Sequence, residues 1–335
     1  MVRIGVIGFG YWGPNILRNF SSLESVEVKY ICDLDESALK RARRAYPGVD
    51  LTKCTKDITA SADIDAVAII TPVATHYELA REALENGKHV FVEKPFTYTV
   101  DEAKRLIDIA EKKRLRIMID HTFLFTGAVR KIRQLINDEG ALGDLYYFDS
   151  TRVNLGLFQH DVNVVWDLAP HDLSIMDYLI KERPTAVIAT GEAHFNHGLE
   201  DVAYITLYFP NKLIAHINVN WLSPVKVRTT LIGGHKKMLV WNDLDADEKI
   251  RIYDKGVEVN NCESMYDLLV SYRSGDIWVP KIDKIEALRL EAECFRDCIM
   301  NGMKPINDGY AGLRVVELLQ AANKSLKNKG EMVYL

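Results

Sequence analysis

The period of the apolar positions changes once along the chain, and that change divides it. Up to residue 120, short β-rich runs at Arg3–Ile7, Val26–Cys32, Ala66–Ile70, His89–Val92 and Arg116–Ile119 alternate with amphipathic stretches. Those stretches lie near Pro14–Phe20, Glu36–Ala45, Tyr77–Asn86 and Val100–Lys113. Short β-rich runs bounded by turn residues and separated by amphipathic helices predict a parallel, doubly wound α/β sheet. Thr99 or Asp101 opens the fourth helix and Gly87 closes the third, as capping preferences require.

Beyond about residue 121 the pattern lengthens. A helix near Gly127–Asn137 leads to a strand at Asp144–Val153 and a helix over Asp167–Ile180. Alternating segments follow at Ala186–His194, Val202–Phe209, Ile214–Trp221, Arg228–Ile232, Met238–Trp241 and Ile250–Tyr253. The alternation is clearest from His216 to Trp221 and predicts a large, open, mainly antiparallel sheet. Helices near Lys284–Asn301 and Tyr310–Lys327 close the chain. A chain of 335 residues exceeds one comfortable core. The expected organisation is a Rossmann-type domain over 1–121 and an α+β domain over 122–335, with the last helices packing back on the first.

Charge narrows the partners. The net charge is −5, with 42 basic and 47 acidic residues intermixed; no basic face emerges for a nucleic acid. No apolar run nears the ~20 residues of a membrane span, and no export-type leader pattern precedes the first strand. The expectation is a soluble, cytoplasmic protein. Cys32, Cys54, Cys262, Cys294 and Cys298 lack framework spacing and read as reduced thiols. Cys294 and Cys298 stand one helical turn apart, but no His or Cys completes a zinc set, so no metal is expected.

The first strand runs into Gly8-Phe9-Gly10-Tyr11-Trp12-Gly13 and then a helix. That strand–glycine turn–helix order is what dinucleotide binding needs, because the helix N-terminus faces a pyrophosphate. The second strand ends at Asp33, whose carboxylate suits ribose hydroxyls and repels a 2′-phosphate; with no Arg beside it, NAD is favoured over NADP. Lys40, Arg41, Arg43 and Arg44 read as a solvated helix face. The plainer alternative is a glycine turn and a surface aspartate. Two later strand ends, Thr71-Pro72 through His76 and Glu93-Lys94-Pro95, fall on the carboxyl edge where ligands bind such sheets. Lys94 is a candidate catalytic group there, against a surface lysine as the bland reading.

Asp167 and His171 lie one turn apart on a predicted helix and share a face. Oxidising an alcohol needs a base for the hydroxyl proton, which a histidine supplies near neutrality, and a nearby ammonium offsets the alkoxide's charge. Pro170 between them fits a helix's first turn and not its interior. The structural alternative is a capping Asp167 and a packed His171.

These motifs, in this order, resemble the glucose–fructose oxidoreductase / inositol dehydrogenase / rhizopine-catabolism (Gfo/Idh/MocA) family along nearly the whole chain. The resemblance implies an NAD-dependent sugar dehydrogenase whose open sheet mediates assembly into a homodimer or homotetramer. It assigns the reacting hydroxyl and nicotinamide ribose to Lys94, and substrate and proton transfer to Asp167 and His171. The stretch from Thr151 to Asp167 resembles members of bacterial surface-polysaccharide pathways that oxidise C3 of nucleotide-linked N-acetylated hexoses. Many members carry two glycines before the aspartate, where this chain has Val165-Trp166; Trp166 either stacks on a sugar or packs in the core. Arg152, Asn154 and Asn163 are candidates for substrate hydroxyls or phosphate, and His121 either faces the cleft or caps its strand. The competing readings are an inositol or free-hexose dehydrogenase, a ketosugar reductase, and a non-catalytic NAD-binding sensor.

Overall fold

The computed structural model describes residues 1–156, 158–195, 198–260 and 269–335, with side chains outside 258–260 and 269–271; Cys262 lies outside them. The chain forms two compact units, 1–126 with 285–317, and 127–284 with 318–335.

In the first unit the elements run β1 (Val2–Ile7), α1 (Gly13–Ser21), β2 (Val26–Cys32), α2 (Glu36–Ala45), β3 (Asp50–Thr52), α3 (Lys56–Thr59) and β4 (Ala66–Ile69). They continue with α4 (His76–Glu85), β5 (His89–Glu93), α5 (Val100–Lys113) and β6 (Ile117–Asp120). The parallel sheet has the order β3-β2-β1-β4-β5-β6. Its direction reverses at β1/β4, so the turns after those two strands flank the crevice that a doubly wound sheet offers a ligand. β4 is wholly buried, as its uninterrupted apolar run requires. Thr99 and Glu102 form a reciprocal capping box on α5, and Gly87 follows α4 at φ +77°.

The second unit begins with α6 (Gly127–Arg133), which continues as a π-helical turn over Gln134–Asp138, then β7 (Leu145–Leu155) and α7 (Val164–Leu179). β8 (Ala186–Glu192), β9 (Val202–Tyr208), β10 (Ile214–Asn220), β11 (Leu222–Gly234), β12 (Met238–Asn242), β13 (Ile250–Asn260) and β14 (Leu269–Trp278) follow. Further along the chain come α8 (Ala287–Asn301), α9 (Gly309–Lys327) and β15 (Val333–Tyr334), of which the second half of α9 and β15 belong to this unit. The nine strands order as β14-β13-β12-β11-β7-β10-β9-β8-β15. All pairs are antiparallel except β10–β7. Ala215, Ile217 and Val219 of β10 are buried and alternate with half-buried polar residues; α7 covers the apolar side.

α8 and the start of α9 belong to the first unit. There Phe295 of α8 meets Phe20 at 6.0 Å and Phe91 at 5.6 Å between ring centroids, and Phe20 and Phe91 stand at 5.5 Å. Three fully buried rings in edge-on or tilted geometry gain from both area and quadrupole complementarity.

The structure departs from the sequence reading in several places, and β11 (Leu222–Gly234) begins six residues before the expected Arg228. β3 and α3 are too short to leave a period. β14 and β15 were not expected, and the β13 strand is longer than its apolar core. The unit boundary falls at 126/127 instead of 121/122. Finally, α7 begins at Val164, so Pro170 lies inside the helix. Asn163 is the cap, its side chain accepting from Trp166 N at 3.1 Å, and the Asp167–His171 turn is therefore a second turn, not a first.

Candidate active site

The glycine turn has the shape its residue types predict. Gly8 has φ +101°, and a Cβ there would lie 2.2 Å from the Ile70 carbonyl oxygen; one on Gly13 would lie 2.4 Å from that of Gly8. A Cβ on Gly10 would meet nothing within 4 Å, so open space faces the loop where a pyrophosphate's approach needs bare backbone. Phe9 is buried and Tyr11 is 88% exposed. Asp33 accepts from Phe9 N at 2.6 Å and from Asp35 N at 2.8 Å, which fixes its carboxylate beside the turn. Two oxygens offer about four acceptor sites, so capacity for ribose hydroxyls remains. Arg41, read from sequence as part of a solvated face, donates to the Phe9 carbonyl at 3.2 Å.

The next two strand ends are joined by a histidine. His76 is fully buried, with Nε2 2.7 Å from Thr71 O and Nδ1 2.9 Å from Pro95 O. Burial pushes its pKa down, although both carbonyl contacts favour the charged ring. His76 thus ties the turn after β4 to the one after β5. Thr71 and Thr75 share a hydroxyl contact of 2.7 Å. Glu93 ends β5, and the Lys94–Pro95 peptide is cis; Lys94 is half-buried. His121 follows β6 and is 1% exposed, with neither ring nitrogen hydrogen-bonded. Burial pushes its pKa down to about 4, with Lys94 and Arg314 acting the same way against Asp120, so its ring is neutral at physiological pH.

In the second unit, Asp167 and His171 are both half-buried on one face of α7. Asp167 Oδ2 accepts from the indole N–H of Trp221 at 3.0 Å, a residue 1% exposed and packed against Phe158 at 5.4 Å between centroids. Trp221 carries no motif, and only its place at the end of β10 marks it. The next residue, Asp172, accepts from Arg152 Nε at 2.6 Å and Nη2 at 3.1 Å, and from Ser150 Oγ at 2.7 Å.

The polar residues read from sequence as substrate ligands therefore divide. Asn154 is half-buried. Arg152 is 4% exposed and committed to a bidentate pair with Asp172. Asn163 caps α7 and donates to Glu200 at 2.7 Å, while Trp166 is 4% exposed, in the core. The types of Arg152 and Asn163 suggest sugar contacts, and their positions give them structural partners. Among the described residues no cluster of His, Cys, Asp or Glu is arranged to hold a metal.

Comparison with known proteins bears on both units. Residues 2–121 match the model of the oxidoreductase family with NAD-binding Rossmann fold, and 129–240 match that of the GFO/IDH/MocA C-terminal domain. The chain belongs to the Gfo/Idh/MocA oxidoreductase family. As such it is an NAD-binding oxidoreductase, and the glycine turn, Asp33 and the open space over Gly10 fit that cofactor. A relative, UDP-N-acetylglucosamine 3-dehydrogenase of Acidithiobacillus ferrooxidans, is 27% identical over 331 residues, 94% of each chain. The solved structure of that enzyme, GnnA, superposes with a TM-score of 0.80 at 25% identity, over 97% of this chain and 98% of its own. GenD2 from gentamicin A biosynthesis, solved with NAD, reaches 0.84 at 19% identity, covering 100% and 96%. A myo-inositol dehydrogenase-like protein from Sinorhizobium meliloti reaches 0.80 at 21%, covering 100% and 99%. The last two share the fold.

Proposed function

We propose that this protein oxidises a ring hydroxyl, at C3, of a nucleotide-linked hexose of the UDP-N-acetyl type. The observation that carries the reading is the likeness, over 94% of both chains, to a UDP-N-acetylglucosamine 3-dehydrogenase. The pairing of Asp167 and His171 on one face of α7 supports it.

When bound, NAD supplies the acceptor for the hydride leaving the sugar carbon. His171 takes the hydroxyl proton, so the carbon loses a hydride and the oxygen a proton to leave a ketone. An imidazole suits this because it ordinarily titrates near neutrality. Lys94 brings an ammonium whose charge offsets the developing alkoxide. Asp167, oriented by the Trp221 indole, accepts from a sugar hydroxyl. His121, neutral and without hydrogen-bond partners, and Asn154 complete the polar groups assigned to the substrate. Self-association through the half-exposed side of the second sheet belongs to the same reading.

A panel of UDP-sugars, free hexoses and inositols, assayed with NAD by the appearance of NADH, tests it. Turnover of UDP-N-acetyl hexoses alone is expected. Selective turnover of inositol or a free hexose would overturn the substrate class, and no turnover of any would favour a non-catalytic NAD-binding protein.

A further inference from the structure

The glycine turn is tied to a residue that its fingerprint does not contain. The indole N–H of Trp12 donates to Asp120 Oδ2 at 2.7 Å. Trp12 is the residue before α1, and its carbonyl accepts from Asn15 N at 2.9 Å; its backbone is thus part of the phosphate-facing turn. Asp120 ends β6, three strands away from β1 in the sheet order, and is 2% exposed.

Asp120 is itself immobilised. Its Oδ1 accepts from the Thr122 hydroxyl. Glu291 of α8, 1% exposed, lies against Asp120 and Thr122. Asn307 donates to Glu291 Oε1 at 3.0 Å and also to the Ile119 carbonyl. Burial, and then the facing Asp120 carboxylate, raise the Glu291 pKa well above the ordinary carboxyl range. Two buried carboxyls in contact cannot both ionise cheaply, so Glu291 stays the neutral partner and Asp120 the acceptor of the indole bond.

We propose that Asp120 is a positioning residue for the dinucleotide: through the Trp12 indole it holds the Gly8–Gly13 turn in the conformation that receives the pyrophosphate. The inference rests on the assignment of NAD to this turn. A turn with three glycines loses much conformational freedom when it is ordered. A tether to a rigid strand end removes part of that freedom before the ligand arrives, and preorganisation of this kind appears as affinity. The turn's own sequence shows the glycines; the anchor sits more than a hundred residues away.

The test is a titration of the full-length protein with NADH, followed by nicotinamide fluorescence, and with ADP-ribose by displacement. Trp12→Phe keeps a ring and removes the donor; Asp120→Ala removes the acceptor. Each is expected to weaken both probes roughly tenfold, the scale of a hydrogen bond to a charged group. The double variant is expected to bind no worse than the weaker single, because both changes break one interaction. A purely structural role would lower the melting temperature and leave affinity unchanged, or give losses that multiply in the double variant. Either result overturns the proposal. If Asp120→Ala does not fold, Trp12→Phe alone decides, since NADH affinity equal to wild type contradicts the tether. Absence of NADH binding by the wild-type protein would instead defeat the assignment of NAD to the turn.

Discussion

Replacing Arg152 by Ala separates two roles for that residue more sharply than any other change. Its guanidinium and the Asp172 carboxylate are 5% and 3% exposed and form a bidentate pair. Removing one partner of a buried pair leaves an uncompensated charge and costs about 3–5 kcal/mol. Two features moderate this. Ser150 still donates to Asp172, and Arg228, opposite Arg152 on the neighbouring strand, already feels Asp172. The lower end, about 3 kcal/mol, is the expected loss. At 2–4 °C per kcal/mol for a unit of this size, the melting temperature should fall by roughly 6–12 °C. Thermal and urea unfolding at neutral pH measure it. Arg152→Met with Asp172→Leu should recover most of the loss, because an apolar pair of similar volume carries no desolvation penalty. A melting temperature within about 2 °C of wild type, with weakened sugar binding, would refute the structural pairing and restore Arg152 as a substrate ligand.

Other consequences are equally direct. Trp221→Phe keeps an aromatic ring and removes the bond to Asp167; kcat should fall roughly tenfold with NADH affinity unchanged, while an unaltered kcat would remove Asp167 orientation from the account. Asp33→Ser should raise the NADP/NAD ratio of kcat/KM, since the repelling carboxylate is gone and Arg41 stands beside the turn; steady-state kinetics with both cofactors check this. Glu291→Gln should stabilise the protein relative to wild type as pH rises. The raised folded-state pKa means wild-type folding takes up a proton above the unfolded-state value, so the Glu291 contribution is complete below about pH 4.5 and is lost as pH climbs toward the folded value. Urea midpoints from acid to mildly alkaline pH should diverge in that sense, and parallel curves would contradict the neutral Glu291.

Much of this molecule was legible in the sequence because its signals are local. The central parallel strands are largely apolar, the turns around them carry glycine or a capping box, and β2, α2 and α5 begin and end where period and caps place them. Lys94, Asp167 and His171 stand at strand ends and on a helix face that periodicity alone locates. What was hidden depends on contacts between distant residues. Arg152 and Asn163 look like ligands by type, yet Asp172 and Glu200 engage them, and Trp166, open in the sequence between a sugar contact and the core, lies in the core. Pro170 suggests a helix start, but α7 begins earlier, at its Asn163 cap, and carries the proline inside a largely buried helix. Asp120 and Trp221 carry no motif, and their roles exist only through indole bonds that a linear reading cannot pair. The two strands beyond β12 are harder to read, because polar residues such as Asp254, Lys255, Arg273 and Asp276 interrupt the apolar alternation of β13 and β14.

The claim that the chain oxidises a nucleotide-linked sugar is tested most directly by adding UDP-N-acetylglucosamine and NAD to the purified protein and to its His171→Ala variant. NADH and a 3-keto sugar are expected from the wild-type protein, and from the variant a rate lower by roughly 10²–10⁴, the usual contribution of a general base. Equal rates from both would contradict His171 as the base, and turnover of an inositol in place of the UDP-sugar would contradict the substrate.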